Sequence, residues 1–347
     1  MKTMVLALAV LTPACTSAPG DTGHDGVAPL EVRHSSSGSV RFGAWIQIGD
    51  RPPFLALVDT GSSGLRVLPS AVDDGAYASI TDTLVSFSYH SGLALQGVLA
   101  TGTVTIGGLA TPRPIPIMRV RTVGCTADVP DCDAAGESAD DYQAFGYDAV
   151  LGIGMRNLDT SAGIGNPIAQ LAGAPSYIVR GPDIGGDTAS LQIAPAASDT
   201  ARFASVVLPP IEHGAPLPGG VPAWDDRAVP ACVTDETHDT PFCAGALLDT
   251  GATSTQLESP AFTGAPQTWA SGTLVAVAIG ETSAPLASYD FTVGATPVAG
   301  IDKVVSETRT NSTDDMINLG TAPFLRDDVF FDQLHGAIGI GGRAPTP

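Results

Sequence analysis

Two short runs carry the residue types best suited to chemistry. Leu57-Val58-Asp59-Thr60-Gly61-Ser62-Ser63-Gly64-Leu65-Arg66-Val67 places an aspartate on a turn between apolar pairs. Leu247-Leu248-Asp249-Thr250-Gly251-Ala252-Thr253-Ser254 repeats the pattern in the second half of the chain. One apolar-apolar-Asp-Thr-Gly run is a weak signal. Two, one per half, imply a duplicated fold that brings two carboxylates face to face. Carboxylates a hydrogen bond apart cannot both ionise without a large penalty, so they share one proton. The ionised member can take a proton from water while the protonated one hydrogen-bonds a carbonyl. The two titrate as a pair, and no separate roles are assigned to Asp59 and Asp249. The plainer reading makes both aspartates structural turn residues.

The neighbours suit the same chemistry. Gly61 and Gly251 offer a permissive backbone for loops that bring N–H groups to each carboxylate. The Thr60 and Thr250 hydroxyls can tie the two loops together. Ser62 can hydrogen-bond the outer oxygen of Asp59, whereas Ala252 cannot do this for Asp249, so the two carboxylates should have unequal surroundings. Other chemistries fit poorly. The six histidines are scattered, with no His-x-x-x-His pair, and no metal or cofactor is expected. No Gly-Lys-Ser/Thr follows Gly61 to Gly64, and Ser62 has no Gly-x-Ser-x-Gly setting. His90 reads as a solvated residue.

The elements that must position these residues read as mostly β. The 347 residues suffice for one large domain or two lobes, and contain 40 Gly and 28 Pro. Short apolar runs are broken by Gly, Pro, Asp and Ser, and no long 3.6-period segment appears. Val40 to Ile48, Phe54 to Val58, Leu274 to Ile279 and Tyr289 to Val293 read as strands. Leu84 to Leu99 reads as a hairpin around a Ser-Gly turn. Asn166 to Ala172 is one of the few helix-compatible stretches. The formal net charge of −20 repels phosphate backbones and anionic membranes, which sets nucleic-acid binding aside. It reflects solubility or adaptation to acidic surroundings.

Lys2 and the apolar run Met4 to Leu11 form a targeting segment too short to span a bilayer. Leu11-Thr12-Pro13-Ala14-Cys15 resembles a bacterial lipoprotein signal, with Cys15 as the lipidated residue and Thr12 in place of the usual Leu. The alternative is a secretory signal cut near Ala18. Residues 1–18 are therefore assigned to a signal region and 19–36 to a flexible tether. Either signal makes the protein exported, a cell-envelope lipoprotein or secreted. Four of the five cysteines form two close pairs, as expected for disulfides Cys125–Cys132 and Cys232–Cys243. Zinc is the alternative, but no Cys-x-x-Cys spacing supports it. The acidic loop 124–143 lacks the ligand spacing of a calcium loop and reads as surface.

Taken together, these motifs resemble the pepsin-like aspartic proteases over roughly residues 37–343, including a poorly characterised group of bacterial exported members. Asp59-Thr60-Gly61-Ser62-Ser63 matches the first active-site signature and Asp249-Thr250-Gly251 the second. Val150-Leu151-Gly152 and Asn318-Leu319-Gly320 match the strand threaded beside each catalytic loop, with Asn318 a departure. Tyr89, Ser91 and Gly92 fall in the flap hairpin. Arg66 stands where the family has Trp supporting the flap tyrosine. It could stack on or hydrogen-bond Tyr89, or pair with an acid such as Asp73 or Asp74. The resemblance implies a bilobal fold of two related β-barrel-like lobes, 37–197 and 198–343, with the active site in the cleft between them. It implies a monomeric exported aspartic endopeptidase acting on extended peptide or protein substrates at acidic pH, with any membrane contact made through Cys15. The rival expectation is a catalytically silent protein of the same fold that binds peptides or a surface partner. A purely structural surface lipoprotein leaves the paired signatures unexplained.

Overall fold

Chains with short apolar runs and frequent turn residues cannot sustain helices, and this one folds as strands. A computed structural model describes residues 26–35, 38–157, 162–173, 175–211, 220–236, 240–295, 301–309 and 312–343. Among these, the strands form one sheet of fifteen and one of eight. Helix is limited to the single turn Ala197–Thr200 and three short 3-10 turns. The helix-compatible stretch at 166–172 yields only the 3-10 turn Ile168–Gln170. Neither strand order closes on itself, so the described sheets are open rather than closed barrels.

Both sheets share one central device. In the first, Ala149–Ile153 lies between the two arms of the Asp59 loop. It runs parallel to Phe54–Asp59, with Gly152 opposite Asp59, and antiparallel to Ser63–Val67, with Gly152 opposite Gly64. In the second, Met316–Asn318 runs parallel to Phe242–Leu247 and antiparallel to Thr255–Ser259. A loop that splays its two strands leaves backbone donors and acceptors open between them. A third strand from far along the chain pairs with both arms and satisfies them. These strands are buried on both faces: all six residues of Phe54–Asp59 and all five of Ser63–Val67 and Ala149–Ile153 are buried. Gly152 is required there, because a Cβ would lie 2.8 Å from the Ser62 hydroxyl.

Ser79–Ser88 and Leu93–Gly102 form the expected hairpin. Its turn closes with Tyr89 N–H donating to Leu93 O at 2.8 Å and Gly92 at φ +86°. Two segments depart from the sequence assignment. Val27–His34, placed in the tether, is a strand paired with Val40–Ile48 and Ala189–Ile193. Ala204–Val207, Asp328–Asp332 and Ala337–Gly341, placed in the second lobe, pair within the first sheet. Their alternating apolar residues cover its far edge, where Tyr177 stacks on Phe331 with ring centroids 4.9 Å apart. Length and periodicity identify such strands but not the sheet they join.

Both expected disulfides are present, Cys125–Cys132 and Cys232–Cys243. The second joins directly paired residues on adjacent strands. Each closes a short loop and contributes about 2–3 kcal/mol. Two disulfides suit an oxidising compartment. No helix among the described residues is long and apolar enough to cross a membrane. Cys15, the signal region and most of the assigned tether lie outside the described residues.

Candidate functional site

The apolar run Leu55-Ala56-Leu57-Val58 anchors a buried strand whose last residue is Asp59. The chain then turns, and the turn supplies donors to the carboxylate it has just delivered. Asp59 Oδ1 accepts from the backbone N–H of Gly61 at 2.8 Å and of Ser62 at 3.2 Å. Asp59 Oδ2 accepts from Ser62 Oγ at 2.5 Å. On the other loop, Asp249 Oδ1 accepts from Gly251 N–H at 2.7 Å.

The outer oxygen of Asp249 has an unexpected donor. Ala252 lacks a hydroxyl, and Asn318 Nδ2 donates to Asp249 Oδ2 at 2.8 Å instead. The Asn318 side chain is held by Gly320 N–H, which donates to its Oδ1 at 2.9 Å. The residue that departs from the apolar pattern of the threaded strand thus fills the place of the missing hydroxyl. A polar residue inside Met316-Ile317-Asn318-Leu319, in a chain with alanine at 252, was the available signal.

The loops are locked by reciprocal contacts. Thr60 Oγ1 donates to Leu248 O at 2.7 Å and accepts from Thr250 N–H at 2.9 Å. Thr250 Oγ1 donates to Val58 O at 2.7 Å and accepts from Thr60 N–H at 3.0 Å. Both threonines are fully buried. These four bonds join residues 188 to 192 apart in sequence and hold the carboxylates opposite one another.

Gly61 and Gly251 act differently from the sequence expectation. Neither has a positive φ, so conformational freedom is not their role. A Cβ on Gly61 would lie 2.4 Å from Asp249 Cγ, and one on Gly251 would lie 2.6 Å from Asp59 Oδ1. Each glycine clears space for the carboxylate of the other loop. Asp59 lies close enough for its charge to act on Asp249. Burial, and secondarily the charge of Asp59, push the Asp249 carboxyl up to about 7, against the Asn318 and Gly251 hydrogen bonds. The pair therefore carries one proton up to near neutrality.

The hairpin covers this centre. Arg66 is buried, donating to Gly64 O at 3.2 Å and Ser63 O at 3.0 Å. Its guanidinium lies 3.5 Å from the Phe87 ring centroid and 5.7 Å from that of Tyr89. Phe87 and Tyr89 pack edge to face at 4.9 Å. Arg66 therefore reaches Tyr89 mainly through Phe87. The surface-acid alternative does not hold, because Asp73 pairs with Arg51 and Asp74 with Arg119. The Tyr89 hydroxyl is buried near Arg66 and Ser62. Burial pushes the phenol up to about 12, with the charge of Arg66 opposing. Ser91 lines the cleft, and Gly92 gives the turn its left-handed residue.

His90 is not simply solvated. Its Nε2 lies 2.9 Å from Glu307 Oε1, a contact from the hairpin to the second sheet. Glu258 stands in the same group, with all three ligand-capable atoms within 4.8 Å of one another. Arg309 approaches Glu258 at 3.9 Å. Beneath the Gly61 loop, Arg156 pairs with buried Asp226, whose Oδ2 accepts from Met155 N–H at 2.8 Å. Sequence reading missed this pair, and also Arg41 and Arg227, which line the cleft.

The cleft has a volume of about 330 Å³ and contains both aspartates, Tyr89, Phe145 and residues of both sheets. A larger cavity of about 870 Å³ surrounds Phe242, Phe262 and Trp269 and does not include the aspartate pair. Against known proteins, a family model described as "Protein of unknown function (DUF3443)" matches residues 55–176. That segment spans the first Asp-Thr-Gly loop, the hairpin and the first threaded strand, and ends before Asp249. No curated protein matches the chain.

Proposed function

We propose that this protein is an exported aspartic endopeptidase of the pepsin-like, bilobal type. The reading is carried by one observation: the reciprocal Thr60–Thr250 lock sets Asp59 and Asp249 opposite one another in a single cleft. A water between the carboxylates would lose a proton to the ionised member and attack a peptide carbonyl. The protonated member would hydrogen-bond the carbonyl oxygen as charge develops there. Tyr89, supported by Arg66 through Phe87, would close over an extended peptide and exclude bulk water. The requirement for one protonated carboxyl favours acidic to near-neutral pH. Export and attachment through Cys15 belong to the same reading, as do a monomeric state and an extended peptide substrate.

The test is hydrolysis of a diverse peptide library across pH 2–7, with and without pepstatin, alongside Asp59→Asn. The variant is close to isosteric, because Oδ1 keeps both backbone donors and an amide at Oδ2 can donate to Ser62 Oγ. Pepstatin-sensitive cleavage lost in the variant supports the reading. Binding of peptides without cleavage at any pH would favour the silent binding protein, and cleavage surviving Asp59→Asn would overturn the mechanism.

A further inference from the structure

Four arginines surround the aspartate loops, and they divide into two kinds. Arg66 is used up on Gly64 O, Ser63 O and Phe87. Arg156 is used up on Asp226. Arg41 and Arg227 are different. Among the described residues neither guanidinium makes a hydrogen bond or an ion pair, and each has a buried Nε with no acceptor. Both line the cleft that holds Asp59 and Asp249. Arg41 rests its guanidinium on the Phe145 ring at 3.7 Å, which fixes its plane without satisfying its N–H groups.

Their positions follow the internal repeat. Arg41 is on Val40–Ile48, the strand paired with the one that delivers Asp59. Arg227 leads into Val229–Asp235, the strand paired with the one that leads to Asp249. Each half therefore contributes one arginine to the lining of the cleft. Burial lowers the pKa of both guanidiniums, against the pull of carboxylates nearby: Asp133, Asp249 and Asp59 for Arg41, Asp226 and Glu258 for Arg227. A partly buried cation without a partner is unfavourable unless something arrives to pair with it. The planar fork of a guanidinium matches a carboxylate through two parallel hydrogen bonds.

We propose that the cleft selects acidic peptides, with carboxylate side chains on either side of the bond held at Asp59 and Asp249 docking on Arg41 and Arg227. This rests on the cleft being a peptide site, and it holds equally for an active enzyme or a silent binder. Glu258, near Arg227, limits that subsite to a ligand carboxylate that reaches the guanidinium from the cleft side.

The experiment uses the full chain carrying Asp59→Asn, so that ligands are bound and not turned over. Fluorescein-labelled dodecapeptide pools with Asp and Glu flanking the centre are compared with pools carrying Asn and Gln there, by anisotropy at pH 6. The acidic pool should bind about 100-fold more tightly, about tenfold for a charge-assisted hydrogen bond at each of the two sites. Arg41→Met and Arg227→Met should each remove about tenfold of that preference, with Lys at either position restoring part of it. Neither methionine variant loses an internal hydrogen bond, so both should keep the parent circular dichroism spectrum. Equal affinity for the two pools, or a preference untouched by both methionine variants, overturns the proposal while leaving the peptide cleft intact. Failure of both pools to bind removes the peptide cleft itself.

Discussion

Replacing Asp249 by Asn should change how stability depends on pH. The Asp249 carboxyl stands at about 7 in the folded chain against 3.8 for the free group. A raised folded-state value means that the native state keeps a proton the unfolded chain has released. The associated stability is complete below about pH 4 and is lost as pH rises through about 7. A difference of about 3 pH units at 1.36 kcal/mol per unit gives a linkage of roughly 4 kcal/mol. The variant cannot take part in this titration. Its amide places a donor against either Gly251 N–H or Asn318 Nδ2, a penalty that does not vary with pH. Urea denaturation of both proteins from pH 4 to pH 7.5 separates the two effects. Titrating groups outside the Asp59–Asp249 pair, including Glu258 and His90, are common to both chains and cancel in the difference, which therefore reports the pair. Wild type minus variant stability should fall by roughly 4 kcal/mol across that range. A difference that stays flat within about 1 kcal/mol would refute the claim that burial and Asp59 hold a proton on this pair.

Four further outcomes follow from the same geometry. Asn318→Ala removes a donor to a carboxylate, so the apparent pKa of the pair should rise by about 1–2, read by carboxyl NMR titration or an activity profile. Thr60→Val and Thr250→Val should each cost about 1–3 kcal/mol, and a double-mutant cycle should show coupling of about 1 kcal/mol or more; additive effects would mean that the lock is not shared. Arg66→Met removes the side-chain donors to Gly64 O and Ser63 O and the cation over Phe87, costing roughly 2–3 kcal/mol and speeding amide exchange at Tyr89 and Leu93. The hydrogen bond to Glu307 raises the His90 pKa, so its contribution to holding the hairpin is present below pH 6.5 and lost as pH rises through the raised value. Hairpin exchange should be slower at pH 5 than at pH 8, after correction for intrinsic rates, and His90→Ala should abolish the contrast.

Much of the site was legible because its parts are local. An aspartate with two donors two and three residues away is a property of the Asp-Thr-Gly-Ser turn, and the string of residues contains it. The hairpin and both cysteine pairs were likewise visible as short runs, and the two threaded strands followed from the family resemblance. The reason for Gly61 and Gly251 was misjudged, because the atoms they accommodate belong to the other loop. His90 looked solvated for the same reason, its partner being Glu307, 217 residues away. Val27–His34 looked like a tether because its Gly- and Ser-rich flanks obscured a strand that only a preformed sheet edge recruits.

The sequence by itself determined that the chain is β, that it repeats, and that two Asp-Thr-Gly turns carry its candidate chemistry. These follow from periodicity and turn stereochemistry, which act over a few residues. Only the tertiary structure decided which donor replaces the hydroxyl missing at Ala252, and which ring takes the cation of Arg66. It alone showed that, among the described residues, the Arg41 and Arg227 guanidiniums line the cleft without a hydrogen bond. Those outcomes depend on contacts between residues far apart in the chain, fixed by how the sheets pack around the two loops.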